Sequence, residues 1–179
     1  MQQPNFQEIF FQTFVEHRKA IAYRVRGDSN FPHDVQFLNS LIHDSRFELK
    51  DIRTEKRTLV VPLTRARWEV REEVSKNNLP KTSAVLTFGR VKSVRWIIGD
   101  VQRTPPFFDT LVDAGDSISS NTRCEIDSFF VGESTNLGKD GDIEVILRGY
   151  PRHWQLRILL PAEGWSISLA DVPAPNEKI

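Results

Sequence analysis

Two His-Asp pairs, His33-Asp34 and His43-Asp44, lie ten residues apart. Together they offer the donors of a metal site or of an acid-base couple. Metal ligands must converge to about 2 Å of a single ion. A regular helix through this segment would hold the two pairs about 15 Å apart along its axis, so they cannot share one, and no metal is expected. Each pair suits a helix end instead. Asp34 beside Pro32 can accept the free N–H groups of a first turn. A His at position 43 can bond the last free carbonyls, and Asp44 is a good turn former.

Arginine is the second source of chemistry. Arg65, Arg67 and Arg71 fall on one side of a strand, outward of Ala66, Trp68 and Val70, and Arg90, Lys92, Arg95 and Arg103 follow. Guanidinium forks match phosphate and carboxylate. Arg65, Arg67, Arg71, Arg90 and Arg95 are therefore the candidate binding residues, and a curved sheet carrying them could track a nucleic-acid backbone. Two features weigh against nucleic acid. The tryptophans run in phase with aliphatic residues, as core positions do, and the formal net charge is zero. A plainer reading is that basic and acidic strands pair across a sheet. Residues 46–103 hold 14 Lys/Arg against 7 Asp/Glu, and residues 104–145 hold 2 against 9.

Nothing in the chain spells a catalytic centre. No G-x-S-x-G, P-loop or G-x-G-x-x-G occurs. The single Cys124 sits in a strand-like run, where a lone Cys behaves as a small hydrophobe, and it excludes an intrachain disulfide. "GKDGD" lacks the later ligands of a calcium loop and reads as a turn. Glu72-Glu73 is ordinary charged surface. No catalytic residue and no cofactor is expected.

Elements that would carry these residues follow from hydrophobic period. Phe6, Ile9, Phe10, Phe14 and Val15 recur at helical spacing, which predicts a first helix ending near His17 to Lys19. "AIAYRVRG" alternates Ile21, Tyr23 and Val25 as a short strand. A second helix carries Phe37, Leu38, Leu41 and Ile42, and after Ser45 the period changes from 3.6 to 2. Thereafter "TLVVPL", "ARWEVRE", "AVLTFGRVKSVRWIIG", "CEIDSFFVGE", "DIEVILRG", "HWQLRILLP" and "WSISLADV" read as strands. The slip in phase after Gly89 predicts a bulge or sharp bend there. A short helix is expected over 107–112. "GYPR" and "PAEG" are short enough for hairpins, hence antiparallel pairing.

The predicted architecture is α+β: a curled or two-layer antiparallel sheet of roughly eight or nine strands with two N-terminal helices. A chain of 179 residues is expected to form one domain, with 1–30 as an extension and 173–179 as a frayed tail. No apolar run is long enough for a membrane span. The first residues lack a basic n-region and a small-residue cleavage site, so a cytoplasmic location is expected. The Phe-rich first helix could cap its own sheet or pair two copies into a homodimer.

From Asp44 onward the order of features resembles a bacterial family known only as a domain of unknown function. The positions carrying the resemblance are Asp44, Arg65 with Trp68-Glu69, Phe88 with Arg90-Val91, Leu111, the strand 143–147, and Leu169 with Asp171. Together they span roughly residues 34–172. His43 stands where that family carries an amide, which argues against an essential imidazole. The resemblance implies a fold and no activity. The chain therefore reads as a binding or structural module more than an enzyme.

Overall fold

The computed structural model describes residues 21–27, 31–68, 79–98, 101–103, 123–133, 141–151 and 154–172. In chain order it contains β1 (Ala22–Arg26), α1 (Phe31–Ile42), β2 (Arg46–Glu48), a 3-10 turn (Leu49–Asp51), β3 (Arg53–Glu55), β4 (Thr58–Ala66) and β5 (Lys81–Gly89). Six more strands follow: β6 (Ser93–Ile98), β7 (Val101–Arg103), β8 (Arg123–Glu133), β9 (Ile143–Tyr150), β10 (Trp154–Leu160) and β11 (Ser166–Asp171).

The strands form one antiparallel sheet in the order β1-β11-β5-β4-β2-β8-β9-β10-β6-β7, with β3 also on β4. The three-residue β2 joins two halves, touching β4 through Arg46 and Thr64 and β8 through Arg46 to Glu48. Helix α1 packs against β1, β4 and β8, strands from both halves. The sheet must curl for one helix to reach all three, and its inner faces meet in one continuous core. Phe47 of β2 stands at the junction, edge-on to Trp154 at 5.3 Å and to Trp96 at 6.5 Å. Those two indoles stack at 4.9 Å. Offset and edge-on aromatic contacts add to the burial of such large surfaces.

This architecture corrects the α+β expectation. The described residues are mainly β, with eleven strands and a single α-helix, not two N-terminal helices over eight or nine strands. The helix expected near residues 6–19 and the one expected over 107–112 lie outside the described residues. The excess strands came from division. Short β3 and β7 are too brief for a period-two pattern to register, whereas the strand expected after Ser45 is present as β2 and gives way to the 3-10 turn at Leu49.

The bend expected at Gly89 is present, and one connection differs. The phase slip at Gly89 is a sharp bend that ends β5: Arg90 takes φ 63°, and the chain leaves for the other half of the sheet. Val91 N–H bonds the Arg57 carbonyl and Lys92 N–H the Leu159 carbonyl, which mark that crossing. "PAEG" is not a hairpin but the second crossing, because β10 pairs with β9 and β6 while β11 pairs with β1 and β5. "GYPR" does join a hairpin, β9 to β10.

The helix stops where its sequence implies, although His43 Nδ1, expected at the last carbonyls, lies 3.1 Å from Asp44 Oδ1 instead. Asp44 has φ 60°, the left-handed turn that stops a helix. Its N–H bonds the Ile126 carbonyl, and Ser45 returns a bond from Ile126 N–H, so the turn docks on β8. The start differs: α1 begins at Phe31, so Asp34 lies within the first turn instead of capping it, and its carboxylate accepts a 2.8 Å bond from Tyr23 Oη of β1.

Candidate anion-binding groove

Strand β1 turns Tyr23 and Val25 into the core, so Arg24 and Arg26 project from the opposite face. Its pairing with β11 sets Arg26 opposite Ser166, which itself faces Gly89 on β5. A groove of about 620 Å³ lies here, lined by Arg24, Arg26, Gly27, the turn Ala162-Glu163-Gly164, Trp165 and Ser166. Small-molecule sites occupy about 300–1,000 Å³.

Two glycines shape it. A Cβ at Gly27 would sit 2.7 Å from Nε1 of the buried Trp165, so only glycine lets the chain pass the indole. Gly164 has φ 69°, and the Arg90 guanidinium lies directly where its Cβ would be. Arg90 itself adopts a positive φ, which costs a side-chain-bearing residue on the order of 1 kcal/mol. The chain bends after β5 in a way that lays this guanidinium on bare backbone at the groove's edge. Arg24, Arg26 and Glu163 are the described charged residues that line the groove, and Arg90 lies at its edge.

Of the arginines expected to act together, the described ones do not all reach the surface. Arg65 is inside: it follows Leu59, Val61 and Leu63 in the inward phase of β4 and is fully buried. Its Nε and Nη2 each donate 2.8 Å bonds to the carboxylate of Asp171. That carboxylate also accepts the Ile21 backbone N–H at 2.9 Å. The outward placement of Arg65 is therefore corrected. β4 continues unbroken through residue 65, and no separate strand begins at Ala66 to reset the phase. Arg67 lies just past β4, its backbone N–H on the Pro80 carbonyl. Arg71 lies outside the described residues. Arg95 is on β6, 3.4 Å from Glu144, and Arg90 is at the groove.

The basic and acidic blocks of the sequence are neighbours. Lys92 pairs with Asp142 at 2.6 Å, Arg157 and Arg95 share Glu144, and Arg46 pairs with Glu125 at 2.7 Å. Arg46, Lys92 and Arg95 of the basic block are paired this way. Trp68, expected inward, is only partly buried beyond the end of β4, where its Nε1 donates to the His43 carbonyl at 3.2 Å. Cys124 is fully buried, and burial pushes its thiol up to about 12. Tyr23 is likewise raised, by burial first and then by its bond to Asp34. Arg24 and Arg26 were legible as the outward residues of β1. They lie outside the 46–103 block, and a search for local charge excess passes over them.

Residues 29–108 match the model of a family described as a protein of unknown function, DUF2948. The match agrees with the resemblance carried by Arg65, Trp68-Glu69 and Phe88-x-Arg90-Val91. It runs from the start of α1 past β7 and includes Arg90, while β1 and the 162–166 turn fall outside it. No curated protein and no solved structure matches the chain. Among the described residues no helix is long and apolar enough to cross a membrane.

Proposed function

We propose that the chain is a binding module for a small anion bearing phosphate or carboxylate groups, held in the groove between β1 and the 162–166 turn. The observation that supports this most is the placing of Arg24 and Arg26 along that groove, with the Arg90 guanidinium beside Gly164 at its edge. Arginines placed by backbone geometry lose less freedom on binding than mobile surface side chains. The lining side chains offer the Arg24 and Arg26 guanidiniums and the Ser166 hydroxyl, which suit an anion, against the Glu163 carboxylate.

The test is calorimetric titration of the full chain with pyrophosphate and with citrate at low ionic strength. A phosphate ligand predicts heat with pyrophosphate, a carboxylate ligand heat with citrate. Arg24→Ala and Arg26→Ala should each weaken binding roughly tenfold or more, the worth of one charge-assisted hydrogen bond. Absence of heat with both probes, or affinities indifferent to both substitutions, would end the proposal.

A further inference from the structure

The outer face of β8, β9, β10 and β6 differs in kind from the groove. Its inward positions, Ile126, Phe129, Val145, Leu147, Trp154 and Leu156, are buried. Outward, register sets Phe130 opposite Ile146, Ile146 opposite Arg157, and Arg157 opposite Arg95. The adjacent row runs Ser128, Arg148, Gln155. Phe130 and Tyr150 are each 50% exposed, although a phenyl ring facing water gains nothing for folding. Arg148 lies over the Phe130 ring, 5.2 Å from its centre. Along β9, Ile146 beside Phe130, then Arg148, then Tyr150 are two residues apart, steps of about 7 Å on one face.

We infer that this face binds single-stranded nucleic acid, with Phe130 and Tyr150 stacking bases and Arg148, Arg157 and Arg95 meeting phosphates. The choice of occupant rests on two complementarities. Exposed aromatic faces suit unpaired bases, whatever their sequence. Among the described residues, Arg95, Arg148 and Arg157 against Glu144 and Asp127 leave the face net positive, which suits a phosphate chain. The carboxylates nearest the aromatic end are Glu125, already paired with Arg46, and the exposed Asp127 at the β8 bulge. A protein partner would need no such placing of a cation, Arg148, between two rings, Phe130 and Tyr150.

Fluorescence anisotropy of labelled oligouridylate and oligothymidylate with the full chain at low salt tests this. Binding of either is expected, and the preferred one identifies RNA or DNA as the source. Phe130→Ala should weaken it roughly 5- to 150-fold, and Phe130→Trp should retain it. Arg148→Ala should weaken binding and lower the salt slope by about one. Both side chains are exposed, so the variants should fold. No anisotropy change with either oligonucleotide, equal affinity for a duplex, or indifference to Phe130→Ala and Arg148→Ala would each overturn the inference.

Discussion

Arg65 and Asp171, 106 positions apart, form a buried bidentate pair that also holds the backbone of Ile21. Removing one partner of such a pair strands the other charge. Asp171→Ala should lower unfolding free energy by about 3–5 kcal/mol, read by urea denaturation. Arg65→Met combined with Asp171→Leu should recover most of that loss, because two apolar side chains leave no buried charge behind. Cys124 supplies a second residue-scale prediction. Its folded thiol is held up to about 12 while the unfolded thiol titrates near ~8.5. The folded state thus keeps a proton that the unfolded chain has lost. That contribution is complete below about pH 8.5 and disappears as pH rises toward 12. Tyr23, raised too, acts in the same direction. Cys124→Ala should flatten the alkaline fall in the urea midpoint, and thiol labelling of the native chain should await unfolding.

At the scale of elements, α1 is pinned at both ends by side chains from strands. Tyr23 of β1 holds Asp34 in its first turn, and Trp68 beyond β4 holds the His43 carbonyl after its last. Trp68→Phe keeps the ring and deletes the donor, so it should cost about 1 kcal/mol. Amide exchange in the last turn of α1 should speed up more than exchange in the central strands. The 162–166 turn is the other element with a defined geometry. Gly164→Ala adds a Cβ at a left-handed φ, on the order of 1 kcal/mol of strain, and must push Arg90 from its place. If Arg90 serves the groove, anion affinity should fall with this variant although none of the groove's charges has changed.

Across the whole molecule, one apolar cluster includes residues of β1, β2, β4, β5, β6, β8, β9, β10 and β11 together with α1. The two halves of the sheet share it, joined through Phe47. Unfolding should therefore be a single cooperative step. Tryptophan fluorescence, reporting Trp96 and Trp154 in one half and Trp165 in the other, should give the same urea midpoint as far-ultraviolet circular dichroism. Two separated transitions would mean that the halves are independent. The ion pairs between basic and acidic blocks belong to this scale too. Most are partly exposed, and each should add at most about 1 kcal/mol. Raising salt should therefore shift the midpoint little while strongly weakening anion binding.

Alternation along single segments was readable before any coordinates. Tyr23 and Val25, Leu59 to Leu63, Val145 and Leu147, and Trp154 to Leu160 all face the core that their period assigned them, and α1 stops at His43-Asp44 where the period changes. A period of two tells which residues of one strand share a side. It carries no information about which strand lies alongside or how far a strand runs. Arg65 shows the consequence: its side depended on β4 continuing past Leu63, and its partner is a carboxylate far along the chain. The groove and the aromatic face depended likewise on crossings at Arg90 and Gly164 that deliver β6 and β11 to opposite halves of the sheet. Local spacing fixed the face of each strand, and long-range pairing, driven by closing one core, decided which faces became neighbours.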